Sequence, residues 1–108
     1  MDVITIEDFK QIEIRIGKVL ECEKVENADK LLKLQVDFGD FQRQILSGIA
    51  EYYQPEELEG KKLPFIVNLE PRMLRGLESQ GMLMAVEGED KPVLLLPADD
   101  VKVGTLVV

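Results

Sequence analysis

The chain has 108 residues, 45% of them hydrophobic, enough to fold around one core as a single domain over residues 1–108. Its 21 acidic and 13 basic residues leave a net charge of −8, which taken whole repels phosphate, and the absence of histidine removes the commonest general base and metal ligand. No apolar run approaches the roughly 20 residues needed to cross a bilayer, Met1-Asp2-Val3-Ile4 lacks the basic start of a signal peptide, and the lone Cys22 reads as a small buried hydrophobe in a reducing compartment. The expected location is the cytoplasm, off the membrane.

Thr5-Ile6-Glu7-Asp8 predicts a short helix, with threonine as the cap and acids in the first turn where the helix dipole favours them. Ile12, Ile14, Ile16, Leu20 and Cys22 then fall on even positions, with Glu13, Arg15, Glu21 and Glu23 between them, the period of a strand with one buried face. Lys18 breaks the pattern after Gly17, which predicts a bulge or sharp coil at that glycine. Asn27-Ala28-Asp29 reads as a polar loop. Leu32, Leu34, Val36 and Phe38 alternate with polar residues as a second strand, and Gly39-Asp40 turns it into a third from Phe41 to Leu46. Pro55-Glu56-Glu57-Leu58 predicts one helical turn stopped by Gly60. Leu63 to Leu69 and Gly81 to Val86 read as apolar strands on either side of a basic turn framed by Pro71 and Gly76; Val93 to Leu96 and Leu106 to Val108 read as short closing strands. The fold class is all-β with short helices: three strands, a helix and two more strands, the order of a five-stranded OB-fold β-barrel, with an N-terminal helix and C-terminal extension strands.

Charge is not spread evenly along this order. Residues 61–76 hold Lys61, Lys62, Arg72 and Arg75 against Glu70, a basic island in an acidic background. The chain has no Gly-rich phosphate loop, no G-x-S-x-G and no H-E-x-x-H, and the acidic pairs Glu56-Glu57 and Asp99-Asp100 sit beside turn residues as solvated surface. These features point to binding without catalysis, and to no metal or cofactor.

Ile14-Arg15-Ile16-Gly17-Lys18-Val19, Asn27-Ala28-Asp29-Lys30-Leu31, Val36-Asp37-Phe38-Gly39, Ser47-Gly48-Ile49, Pro55 to Lys61, Asn68-Leu69-Glu70-Pro71-Arg72, Leu74-Arg75-Gly76 and Ser79-Gln80-Gly81-Met82 stand in one order over nearly the whole chain. In this set the chain resembles the tRNA-binding domain family, which includes appendages and beta subunits of methionyl-tRNA synthetases, stand-alone tRNA-binding proteins and CsaA-like chaperones. The resemblance implies an OB barrel with tRNA on one face, bound by its shape and contacted by Lys30, Arg43, Asn68, Arg72, Arg75, Ser79 and Met82; the basic island adds Lys61 and Lys62. Each has a plainer alternative: Asn68 closing a turn, Ser79 entering a strand, Met82 in the core, Arg43 with its facing left open. The resemblance also implies a homodimer joined through the N-terminal helix and C-terminal segment, with Ile4, Ile6, Phe9, Val103, Leu106, Val107 and Val108 as its apolar surface. Three partners follow from it: tRNA, a methionyl-tRNA synthetase served as accessory subunit, or, for a CsaA-like chaperone, an unfolded or exported polypeptide. The chain departs from many relatives in having Glu26-Asn27 where they have His-Pro, and its four Phe and two Tyr are a thin supply for base stacking.

Overall fold

A computed structural model describes residues 1–108. Helix α1 (Ile6–Lys10) opens on the expected cap: the Thr5 hydroxyl accepts from the Asp8 N–H, and the Asp8 carboxylate accepts from the Thr5 N–H. The main sheet follows, with β1 (Ile14–Val25), β2 (Ala28–Asp37), β3 (Gln42–Ser47), β4 (Lys62–Ile66) and, after an interposed hairpin of β5 (Arg72–Leu74) and β6 (Leu77–Ser79), β7 (Met82–Leu83). Helix α2 (Pro55–Leu58) lies between β3 and β4, and a last hairpin pairs β8 (Ala85–Glu87) with β9 (Pro92–Leu94). Strand order in the sheet is β3-β2-β1-β4-β7, antiparallel throughout.

The sheet curls around a core of Val19, Leu34, Val36, Phe38, Ile45, Leu63 and Phe65, with Leu58 of α2 wholly buried at one end. Phe38 meets Phe65 edge to face at 5.6 Å and stacks on Phe41 at 5.2 Å. The two edge strands, β3 and β7, are not joined by a ladder. They are stitched: the Gln80 N–H donates to the Gln44 carbonyl (2.8 Å), the Gln44 N–H to the Gln80 side-chain oxygen (2.9 Å), and the Leu46 N–H to Ser79 Oγ (3.0 Å). The architecture is the expected OB-like one, with a seam of one backbone bond and several side-chain bonds in place of a fifth strand pairing.

Several local expectations change. Gly17 stays in register opposite Leu63, and the irregularities in β1 fall at Leu20, between Val19 and Glu21, and at the strand's end, between Lys24 and Val25. Gly17 is needed for space, because an added Cβ would stand 2.5 Å from Val36 Cγ1 and 2.6 Å from the Phe38 ring. The slip at Leu20 divides the even-numbered apolar residues. Cys22 enters the core cluster, Ile14 and Ile16 lie outside it in a groove with Leu95 and Leu106, and Leu20 is exposed. Ala28 and Asp29 belong to β2, since the loop before them is a two-residue turn at Glu26-Asn27, with Asn27 at φ 61°. The segment from Gly81 to Val86 splits between two sheets. Leu106 to Val108 form only a bridge between Leu106 and Arg15, because the chain from Gly104 lies along β1 through single bonds: Gly104 N–H to Ile16 O (2.7 Å), Ile16 N–H to Thr105 O (2.9 Å) and Val107 N–H to Ile14 O (2.8 Å).

Burial pushes the Cys22 thiol up to about 11, with Glu59, Glu56 and Glu23 adding to the effect, so it stays protonated at neutral pH. Gly17→Ala overpacks the core beneath β1 and is expected to lower stability by about 1–3 kcal/mol, read as a lower urea midpoint at unchanged slope.

Candidate nucleic-acid interface

The two arginines of the basic island stand on a hairpin, apart from Lys61 and Lys62 at the start of β4. Arg75 (φ 52°) and Gly76 (φ 80°) both take left-handed backbone angles, the two-residue turn whose twist matches that of the flanking strands. Leu74 then pairs with Leu77, Met73 with Glu78 and Arg72 with Ser79. Ser79 is buried and Leu74 and Leu77 are half-buried, so that face of the ribbon lies on the main sheet, against β3; Met73 and Glu78 face outward. The hairpin occupies the connection between the fourth and fifth strands of the main sheet, the place of one of the two loops with which OB folds hold oligonucleotides. The other is the β1–β2 turn, and exposed Lys30 stands just beyond it.

Three ion pairs form in the chain, Arg15–Glu13, Lys33–Glu23 and Lys62–Asp100, and none involves Lys30, Arg72 or Arg75. These three cations face solvent with their charge available to phosphate. Lys61 is half-buried, its carbonyl accepting from the Val19 N–H (3.0 Å).

Other nominated residues are engaged inside the protein. Lys62 Nζ donates to Asp100 (2.7 Å) and to the Val101 carbonyl (2.6 Å), and it holds the Asp100 carboxyl below its ordinary value. The facing of Arg43 is settled by its pairing with buried Val36: it turns inward, donates to the Val67 and Gln80 carbonyls (both 3.0 Å), and lies 4.8 Å from the Phe41 ring centre. Ser79 Oγ accepts from Leu46 and donates to the Gly81 carbonyl (3.1 Å). The Asn68 amide clamps the end of α1, donating to the Gln11 carbonyl (2.6 Å) and accepting from the Glu13 N–H (2.8 Å). Met82, opposite Ile66 in β7, is about half exposed.

The outer face of β1–β3 carries Glu21, Glu23, Lys33, Gln35 and Gln44 around a recess of about 150 Å³. It has no ring on it. Phe38 and Phe65 are core, Phe41 packs against the core, and Tyr53 is buried with its hydroxyl donating to the Pro92 carbonyl (2.7 Å). Tyr52 alone of the tyrosine pair is exposed. Residue patterning missed Met73, which reaches 65% exposure because the turn at Arg75-Gly76 puts it on the outward face. Reading Leu74-Arg75-Gly76-Leu77 as a hairpin turn was the available signal.

A second surface is apolar. Helix α1 buries none of its residues, and with the chain end it borders a groove of about 470 Å³ lined by Ile6, Phe9, Ile12, Leu106, Val107 and Val108. Ile4 is exposed beside the helix. Val103 is elsewhere, half-buried and close to Gly39. Ser79→Ala leaves the buried Leu46 N–H without an acceptor and is expected to cost about 1–3 kcal/mol, whereas Arg72→Ala is expected to stay within about 0.5 kcal/mol; urea melts of both compare them directly.

The family described as "Putative tRNA binding domain" matches residues 14–106. The chain is 55% identical over 104 residues to the methionine–tRNA ligase of Archaeoglobus fulgidus, covering 96% of this chain and 16% of the ligase. To the corresponding ligase of Thermotoga maritima it is 49% identical over 106 residues, 98% of this chain and 17% of that one. It therefore spans only a small part of these relatives' length. Among solved structures, a MetRS-related protein from Pyrococcus horikoshii superposes with a TM-score of 0.95 at 44% identity, with 100% of each chain covered. The chaperone CsaA of Bacillus anthracis superposes with a TM-score of 0.88 at 28% identity, covering 99% of this chain and 100% of that one. By sequence over almost its full length, and by a fold shared end to end, the chain belongs to the tRNA-binding domain family.

Proposed function

We propose that this chain holds tRNA in the cytoplasm as a homodimer, without catalysing a reaction. The observation that carries the reading is the placement of three cations without carboxylate partners, Lys30 near the β1–β2 turn and Arg72 and Arg75 on the β5–β6 hairpin, on the loops that OB folds use for nucleic acid. Arg43, Lys61, Lys62, Asn68, Ser79 and Met82 complete the interface as supports of those loops or as partial contacts. The acidic remainder repels RNA that does not reach the hairpin, so recognition follows tRNA shape and affinity falls with salt. Likeness to methionine–tRNA ligases supports a role beside such an enzyme, delivering or retaining its tRNA.

Two-fold pairing fits the apolar surface. A helix of five residues with no buried side chain has little stability of its own, and burying Ile4, Ile6, Phe9, Leu106, Val107 and Val108 against a second copy supplies what the single chain lacks; Val103 would act behind this patch. Pairing also sets two basic hairpins on one assembly, which raises avidity.

A chaperone reading has one observation in its favour. Ile14, Ile16, Met84, Leu95 and Leu96 line a groove of about 390 Å³ on an acidic protein, suited to a basic, apolar peptide. The tRNA reading is preferred because free cations, rather than this groove, stand on the ligand-holding loops. Unlabelled tRNA that fails to compete with a bound peptide would place the two ligands on separate faces.

Arg72→Ala and Arg75→Ala are each expected to weaken tRNA binding and to reduce the magnitude of the salt slope, d log K/d log[salt], by about 1. Slopes unchanged in both variants would remove the hairpin from the interface. Phe9→Asp is expected to move the protein from dimer to monomer in sedimentation and to weaken tRNA binding through lost avidity; a monomeric wild type at micromolar concentration would refute the dimer.

A further inference from the structure

Met73 is the most exposed large apolar side chain outside residues 1–4 and the terminal Val108, at 65%. A single exposed methionine ordinarily needs no explanation, but this one stands on a rigid platform. The turn at Arg75-Gly76 fixes its strand, Ser79 bonds the returning strand to Leu46 of β3, and the Gln44 side chain donates to the Glu78 carbonyl (2.9 Å). The cross-strand neighbour, Glu78, is drawn along its own strand by the Gln80 amide, which donates to its carboxylate (3.1 Å). Arg72 and Arg75 bracket Met73 in sequence, and neither has a carboxylate partner.

We propose that Met73 is a stacking wedge that packs on an unstacked base of the bound RNA while Arg72 and Arg75 hold the phosphates on either side. The inference rests on the tRNA reading and adds a contact that charge alone does not supply. An unbranched thioether is polarizable and lies well against an aromatic face, and methionine is among the side chains that proteins insert between bases. Sequence-tolerant stacking is normally the work of aromatic residues in OB folds. Here Phe38, Phe65 and Tyr53 are buried in the core cluster, Phe41 packs against it, and the two exposed rings lie off the β5–β6 hairpin, Phe9 in the groove beside α1 and Tyr52 beside the β8–β9 hairpin, so on the β5–β6 hairpin the apolar contact falls to the methionine on its outward face. Its ligand class is a base freed from helical stacking in a folded RNA loop.

The test measures binding of unfractionated tRNA across salt for the full chain, Met73→Ala, Met73→Leu and Arg72→Ala. A second arm compares a single-stranded adenylate hexanucleotide with its abasic counterpart at low salt. Met73→Ala is expected to weaken tRNA binding roughly two- to tenfold with an unchanged salt slope, and Met73→Leu to restore most of it. In the second arm, Met73→Ala should lose affinity for the hexanucleotide and not for the abasic strand. Arg72→Ala is expected to lower the slope by about 1 and to weaken both strands alike. Met73 is mostly exposed, so a urea midpoint close to that of the wild type marks the variants as folded. Wild-type affinity retained by Met73→Ala, or an equal loss on base-bearing and abasic strands, would overturn the wedge and leave the tRNA reading standing. Retained RNA binding with weakened association to a synthetase would assign Met73 to a protein partner and overturn it as well. A wild type that binds no tRNA at any salt would take down both.

Discussion

The twelve residues of β1 must find hydrogen-bond partners along both edges, and the rest of the chain is arranged by how they do so. At its start, β1 pairs with β4 on one side and takes single bonds from residues 104–107 on the other. Beyond Lys18 it pairs with β2, while Gly60 and Lys61 bond Val19 from the far edge. Lys18 itself is in register with both Asp37 and Lys62, so the exchange of partners happens there. An unpaired backbone group in this position would cost about 1–3 kcal/mol, which is why the slip at Leu20 and the returning chain end gather around one short stretch.

Joining the edges of the curled sheet makes a second demand, met largely by side chains. Because β3 and β7 do not share a ladder, Arg43, Gln44, Ser79 and Gln80 supply the donors and acceptors that join them. Side chains fixed in this way hold the hairpin in place and are less free to reach a ligand. Of the nominated cations, Lys30, Arg72 and Arg75 remain exposed without carboxylate partners, and on a molecule of net charge −8 they are the ones carried on or beside the two loops. The apolar groove beside α1 lies apart from them, bordered by Asn68, whose amide fixes the end of the helix. The proposed assembly surface and the proposed ligand-holding loops thereby stand apart on one small domain.

How much was legible in the chain depends on how local the cause is. The Thr5-Asp8 cap, the alternation of Leu32, Leu34, Val36 and Phe38, the Gly39 turn and the Pro55 helix depend on neighbours in sequence, and each stands where residue patterning puts it. The hairpin within residues 71–79 was hidden because its strands are three residues long and its turn is opened by an arginine, a residue that rarely takes a left-handed backbone angle. Even spacing also grouped Ile14 and Ile16 with Cys22, since a one-residue slip that moves residues to the opposite face leaves no mark on composition.

The sequence by itself determined the class of fold, the single basic island and the absence of histidine chemistry, because composition, alternation and turn residues act over a few residues at a time. Only the tertiary structure decided which of the nominated side chains are free. Ser79, Asn68, Arg43 and Lys62 each meet partners at least 24 residues away, and a polar group that finds such a partner in the fold is engaged there before any ligand arrives. The same long-range packing left Arg72, Met73 and Arg75 exposed, with Met73 on the outward face, on a hairpin whose far strand is bonded to β3.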